Sequence, residues 1–531
     1  MPSHVLFVPF AGISHYRLLT QLSIDLVDRS PSLIATLLIS SSKVAAFKRE
    51  LAVHSPRLFE DLEGRWQFVV FEDGLDGLEG VHISAAARKL QESGRGAIKR
   101  IINGEYEGVW QTKVATVICD IGITFASSMV ASITAELGVA KVPVLALIPT
   151  MAISGNRLFL PENEGGSIDG MPERFARYLE QGMDEATAAY RNVHNKLIEM
   201  PDLPPMYDSL PATFPRLMMS LDGTAPQSGS QTTDKAMIPF MKMAYDGSRA
   251  NDGILILATP ELDGAAINAM SKSYGCPVFG IGPQLPASIW SAGDPEVQAA
   301  ETAEGDGETI KDFLDDALSK YGPNSALYIS LGTSVWPKLR PSLMNSLIDS
   351  LLSPTLDPPI PFVFATASAA GKLSEDIKQK ILASGRGLVV DWAPQVKILQ
   401  HPATGFFFTH CGFGSIYETI MTGVPIVAMP FANDQPPLAS FFTSKYSIGR
   451  TVHQMTSGLE GLTLANGIKV ESTEKAIQAE LADVWSAMQG DQGQQYRKNV
   501  EAVRDLLRTS WSGGGIKEGM QRLADFICQA Q

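Results

Sequence analysis

The chain has 531 residues, 45% hydrophobic and 19% charged, with a formal net charge of −14. That length exceeds one ordinary core at roughly 150 residues per domain, and the composition is that of a packed globular protein, not a disordered or fibrous one. An acidic chain without clustered Lys and Arg offers nothing to a phosphate backbone, which excludes nucleic acid as the expected partner.

The amino terminus, MPSHVLFVPFAGISHY, has no charged leader and reads as a first buried strand, HVLFVPF. No stretch reaches the roughly 20 apolar residues of a membrane span. Short apolar runs then alternate with helical patterns: LIATLLIS, WQFVVF, VATVICD and VPVLALIP, separated by segments such as Tyr16–Asp28 and Ser84–Ile102. Such alternation predicts a parallel sheet with helices on both faces. The stretch from Met151 to Ala250 holds ten of the nineteen methionines, including Met200, Met206, Met218, Met219, Met237, Met241 and Met243. Unbranched Met suits the lining of a pocket for a varied apolar ligand, and equally the filler of a loosely patterned helical insert.

Ser291–Asp316 is acidic and rich in Ala and Gly, a solvated linker running into a helix. Its pair Asp315–Asp316 reads as a solvated helix face, not a metal site. A second set of strands follows: ALYISLGT, PFVFAT, GLVVDWAP, TGFFFTH, VPIVAMP and SIGRTVH. The expected organisation is an N-terminal domain over 1–290 with the Met-rich insert at about 151–250, and a linker with entry helix over 291–320. A C-terminal domain over 321–510 follows, then a terminal segment over 511–531 whose helix returns to the first domain. Cys119, Cys276, Cys411 and Cys528 lack disulfide or metal spacing, as in a reducing compartment, and the expected location is the cytoplasm.

The chemistry concentrates between Asp391 and Ile420, DWAPQVKILQHPATGFFFTHCGFGSIYETI. TGFFFTH is a strand by pattern, Cys411–Gly414 a turn, and Ser415 the predicted start of a helix ending near Gly423. Free N–H groups at that helix start carry roughly half a positive charge and hold a diphosphate even in an acidic protein. His410 adds a hydrogen bond at the strand tip, and Ser415 its hydroxyl. Two other readings compete. Ser415 with Glu418 forms S-x-x-E, a capping box. GFGSIY echoes the dinucleotide loop G-x-G-x-x-G, with Asp434 at about 20 residues, but Tyr417 stands at the third glycine. Trp392, just past GLVV, offers a flat face for a base; Gln395 and the backbone of Ala393 can meet the base and ribose edges. Asp434 and Gln435 follow VPIVAMP, at a carboxyl end of the sheet where ligands bind in such folds.

From Trp392 to Gln435 the chain resembles the donor-binding signature of family 1 UDP-glycosyltransferases, best known from plant secondary-product enzymes. W-A-P-Q, H-x-A-x-G-x-F-x-T-H-C-G, S-x-x-E, G-V-P and D-Q appear without insertion or deletion. The resemblance implies that Trp392 stacks on uracil, that His410, Gly412 and Ser415 hold the diphosphate, that Glu418 takes the ribose hydroxyls, and that Asp434 and Gln435 hold sugar hydroxyls. It further places Thr333, in SLGTS, on phosphate. The chain departs at Phe413, where the plant signature has Trp, and at Gly414, where it has Asn, as fungal and bacterial relatives do.

Sugar transfer with inversion needs a base for the acceptor hydroxyl, worth roughly 10²–10⁴-fold. His15, in the first turn of the helix after the first strand, is the candidate; the helix dipole favours its neutral form. Asp120 ends VATVICD at the same sheet edge and can bond the second ring nitrogen, orienting the ring and raising its pKa. By residue type alone both are more often structural; similar enzymes place their base and its Asp partner at such strand ends, although their G-H-x-x-P pattern departs here at Ser14 and Leu18.

The resemblance implies an α/β protein of GT-B type, two facing doubly wound Rossmann-like domains with an interdomain cleft. It implies a metal-independent transfer of glucose, or xylose, from a UDP-sugar to a hydroxyl of a small lipophilic acceptor such as a terpenoid, sterol or polyketide, with the UDP-sugar as co-substrate and no further cofactor. The alternatives are an NAD(P)-dependent oxidoreductase using GFGSIY, and a catalytically silent UDP-sugar binder.

Overall fold

The computed structural model describes residues 2–10, 13–51, 62, 64–74, 89–106, 112–183, 188, 197–207, 241–290, 307–332, 336–337, 340–366, 373–456 and 459–530. Thr333, the linker over 291–306 and Met218, Met219 and Met237 of the Met-rich stretch lie outside them.

The chain divides into two compact units. The first comprises Met1–Leu160, Pro239–Ala300 and Arg508–Gln531, and the second Pro161–Ile238 and Glu301–Leu507. In the first unit a parallel sheet is built from β1 (Ser3–Val8), β2 (Leu33–Ser40), β3 (Trp66–Phe71), β4 (Val114–Asp120), β5 (Val144–Ile148), β8 (Gly253–Ile256) and β9 (Val278–Gly280), in the order β3-β2-β1-β4-β5-β8-β9. These strands are continuous apolar runs, because helices cover both faces of a parallel sheet and neither face alternates towards water. The order reverses between β1 and β4, which are hydrogen-bonded neighbours. Helix α1 (Ile13–Arg29) follows β1 directly. The runs GILI and VFG, now β8 and β9, were not among the predicted strands; at four and three residues they are too short to show a period.

In the second unit, an antiparallel pair, β6 (Leu197–Met200) and β7 (Leu203–Tyr207), stands apart from a parallel sheet. That sheet contains β10 (Ala326–Ser330), β11 (Phe362–Ala365), β12 (Gly387–Val390), β13 (Thr404–Thr409), β14 (Ile426–Ala428) and β15 (Gly449–Thr451), in the order β12-β11-β10-β13-β14-β15. All six lie inside the runs expected from sequence. Successive side chains point to opposite faces of a strand, and the core divides accordingly. Leu327, Ile329, Phe362, Phe364, Phe406 and Phe408 belong to one buried cluster, and Ala326, Tyr328, Val363, Ala365 and Phe407 to another. Here the order reverses between β10 and β13, the crevice where ligands bind in open parallel sheets.

The helices that shape the site are α2 (Gly307–Tyr321), α3 (Gln395–Gln400), α4 (Phe413–Thr422), α5 (Gln435–Ser440), α6 (Asp491–Gly513) and α7 (Gly515–Gln529). On α2, Asp315 and Asp316 pair with Lys311 and Lys320, each at 2.6 Å, a solvated face as expected. Helix α7 packs in the first unit against β9 so closely that a Cβ on Gly519 would stand 2.0 Å from the Gly280 carbonyl oxygen. Among the described residues no helix is long and apolar enough to cross a membrane.

Candidate functional site

In the first unit, the carboxyl ends of β1 and β4 bring His15 and Asp120 together. His15 lies in the first turn of α1, and its Nδ1 stands 2.6 Å from Asp120 Oδ2, the ring N–H donating to the carboxylate. Asp120 is 1% exposed against 28% for His15, so the carboxylate is sealed while the imidazole keeps an open side. The second carboxylate oxygen accepts from the Gly122 N–H at 2.8 Å, which fixes its plane. Phe10 meets the imidazole edge-on, with ring centroids 5.7 Å apart. Burial lowers the His15 pKa, but the Asp120 charge and hydrogen bond together outweigh it, and the net shift is upward. With Nδ1 committed to Asp120, Nε2 carries the lone pair of the neutral ring.

In the second unit, His410 ends β13 at the switch point. A Cβ on Gly332 would approach its ring to 2.8 Å and one on Gly412 its Nε2 to 2.7 Å, so two glycines make the slot that holds it. Burial pulls the His410 pKa down to about 4, the Ser330 carbonyl acting in the opposite sense; the ring is a neutral donor at physiological pH. Cys411 follows with φ 64°, a left-handed backbone that a non-glycine residue rarely adopts and that turns the chain into α4.

Helix α4 starts at Phe413, with Gly412 as N-cap, two residues earlier than expected. Ser415 is therefore the third helical residue, not the cap, and the capping-box reading fails. The first amides, of Phe413, Gly414 and Ser415, precede the first i→i−4 bond, from Ile416 to Gly412 at 3.1 Å, and are the ready donors of a helix start. Ser415 and Glu418 engage α3 instead: Gln395 Nε2 donates to Ser415 Oγ at 3.2 Å and to Glu418 Oε2 at 2.6 Å. Tyr417, where a dinucleotide loop needs its third glycine, is fully buried and packs on Phe413 with ring centroids 4.6 Å apart. A buried tyrosine stands where a dinucleotide loop needs a residue without a side chain, which speaks against the oxidoreductase alternative.

Trp392 is 48% exposed, which takes it out of the core and leaves close to half of its surface open; Ala393 beside it is buried. Asp434 and Gln435 follow β14, behind a second left-handed residue, Asn433 (φ 57°). Gln435 turns its carbonyl oxygen back on its own loop, accepting from the Phe431 and Ala432 N–H groups at 2.9 and 3.2 Å. Its amide NH₂ is the end left to meet a ligand. Sequence reasoning missed Gly332 and Tyr328, which lie on or just past β10; the signal was a phenol and a serine in an otherwise apolar strand, ALYIS.

Residues 373–472 match the family model described as UDP-glucoronosyl and UDP-glucosyl transferase. The chain is 27% identical over 274 residues to UDP-glycosyltransferase 84B2 of Arabidopsis thaliana, which covers 52% of this chain and 56% of that one. Matched stretches span 32% to 58% of these curated relatives' own length, about half in most. Among solved structures, Glycyrrhiza uralensis UGT73P12 complexed with glycyrrhetinic acid 3-O-monoglucuronide superposes with a TM-score of 0.68 at 18% identity, over 100% of this chain and 96% of that one. Medicago truncatula UGT71G1 complexed with UDP-glucose gives 0.63 at 18%, over 99% and 98%. At such identity the likeness is one of fold, and the two parallel α/β sheets are those of the GT-B structures.

Proposed function

We propose that the chain is a UDP-glycosyltransferase and that it transfers a sugar from a UDP-sugar, glucose before xylose, to a hydroxyl of a small lipophilic acceptor with inversion at the anomeric carbon. One observation carries the reading. Along a sheet edge beside the switch point, the chain sets an exposed indole, a neutral imidazole in a glycine slot, a free helix start and a tethered carboxylate, in the order a nucleoside diphosphate needs.

On this reading Trp392 stacks on uracil, with the Ala393 backbone and Gln395 at its edge and ribose, and Glu418 takes the ribose hydroxyls. The diphosphate lies on the first amides of α4, with His410, Gly412, Ser415 and, outside the described residues, Thr333. Asp434 and the NH₂ of Gln435 meet sugar hydroxyls. His15 Nε2 takes the acceptor's hydroxyl proton as the acceptor oxygen bonds to the anomeric carbon and the bond from that carbon to the β-phosphate oxygen breaks. UDP departs with its growing negative charge on the helix start and His410, donors set in place before the reaction. Asp120 holds the ring and steadies the imidazolium until the proton is lost to water.

The test is twofold. Calorimetry with UDP gives a clear binding isotherm that Trp392→Ala weakens by about tenfold or more; stacking on a base is worth roughly 1–3 kcal/mol. A panel of hydroxylated lipophiles offered with UDP-glucose and UDP-xylose, read by product mass, yields glycosides that His15→Ala does not form. UDP binding with no product from any acceptor would leave a silent binder, and no UDP binding would remove the reading altogether.

A further inference from the structure

We propose that Tyr328, a strand residue outside the donor signature, is a positioning residue that makes the site selective for ribonucleoside over 2′-deoxyribonucleoside diphosphates. The inference rests on the reading of Glu418 as the ribose contact.

Tyr328 is 2% exposed in the middle of β10. Its ring stacks on Phe407, its register partner on β13, with centroids 4.8 Å apart and planes 19° apart, so the direction of its hydroxyl is fixed by the sheet itself. A buried phenol costs free energy unless its O–H finds an acceptor. It reaches the Gln395 side-chain oxygen at 3.5 Å, on the first residue of α3. Burial, and the negative charge of Glu418, push its ionisation well up, with Ser330 opposing, so the group remains a donor wherever the protein is folded.

The consequence passes through Gln395. An amide with its oxygen towards Tyr328 must turn its NH₂ the other way, where it meets Ser415 Oγ at 3.2 Å and Glu418 Oε2 at 2.6 Å. Reversing it would set two acceptors 2.6 Å apart and take away the acceptor of the phenol O–H. Tethering one oxygen of Glu418 sets the plane of the carboxylate, and with it the lone pairs offered to a ribose diol. Without the phenol O–H, Gln395 loses its anchor at the far end, and the carboxylate swings.

The readout is the ratio of dissociation constants for 2′-deoxy-UDP and UDP, measured by calorimetry on the full chain. Wild type prefers UDP by about tenfold or more, the worth of a hydrogen bond to a charged group. Tyr328→Phe keeps the ring and its stack and brings the ratio to about two- to threefold with little change in melting temperature. Gln395→Ala, which also removes that residue's own place at the ribose, lowers the ratio at least as far, and adding Tyr328→Phe to it lowers the ratio no further, because the phenol acts through Gln395. A wild-type ratio in Tyr328→Phe, or independent additive losses in the double variant, would overturn the proposal. Should Tyr328→Phe not fold, an unchanged ratio in Gln395→Ala overturns it equally. Wild type that binds both ligands alike refutes the ribose role of Glu418; wild type that binds neither refutes the donor-site reading beneath it.

Discussion

Gly414 stands where the plant signature has Asn, and a Cβ there would meet nothing within 4 Å. The space for the missing side chain exists, at the second position of α4, where removing a glycine costs no strain. Gly414→Asn is therefore expected to fold, to melt at the same temperature or slightly higher, and to tighten the UDP-sugar complex several-fold; a weaker complex by calorimetry would show that the site is built around the glycine. His15 allows a second test. A base must be neutral to take a proton, and the His15 pKa is raised, so on the proposed role kcat/KM should climb with pH through that raised value and level off above it. Asp120→Asn removes the charge that lifts the pKa, so the inflection moves to lower pH while the plateau falls. An inflection that stays in place in the pH profile would separate Asp120 from the reaction. These residue types and spacings were legible in the chain. The slot for His410 was not: Gly332 and His410 are far apart in sequence, and only the adjacency of β10 and β13 makes a Cβ on one collide with the ring of the other.

At the scale of elements, β2, β3 and β4 coincide with the runs LIATLLIS, WQFVVF and VATVICD residue for residue; β2 and β4 are buried along almost their whole length, and in a parallel sheet such a mainly apolar run marks the strand. The start of α4 was misplaced because Gly412-Phe-Gly reads as turn chemistry, whereas the apolar face of the helix already begins with the buried Phe413. What fixes the far end of that helix is equally invisible in sequence. Gly423 closes α4 in the left-handed conformation (φ 77°), and Arg497, from α6, donates to its carbonyl at 3.1 Å and to that of Gly405 at 2.7 Å. One guanidinium thus joins the end of α4 to the start of β13, the two elements proposed to carry the phosphate contacts. Arg497→Gln should lower stability by about 1–3 kcal/mol, the cost of leaving such buried carbonyls unpaired. Well below the melting temperature, UDP affinity should be unchanged, since no ligand contact is lost. A drop in affinity without a drop in melting temperature would mean that Arg497 acts on the ligand itself.

At the scale of the whole molecule, the chain returns to its first unit for the last time at Arg508, and that segment holds fast. Trp511 stacks on Trp290 with centroids 4.5 Å apart and lies under the Arg29 guanidinium at 4.1 Å. Helix α7 buries Ile516, Met520, Leu523 and Ile527, and its Gly519 touches the backbone of β9. A valine at that position has no rotamer that avoids the Gly280 carbonyl, so the helix must lift from the sheet. Overpacking of this kind costs about 1–3 kcal/mol, more where backbone and not a flexible side chain is struck. Every signature residue from Trp392 to Gln435 belongs to the other unit. Saturating UDP at about 100 times its dissociation constant stabilises what binds it by about 2.7 kcal/mol. Scanning calorimetry of Gly519→Val should therefore show a transition of the first unit moved down, which UDP does not restore, beside a transition of the second unit that UDP raises as in wild type. If UDP instead lifts the whole trace of Gly519→Val back to the wild-type position, the two units unfold as one cooperative body. In that case a fault at the end of the chain would be felt directly at the diphosphate.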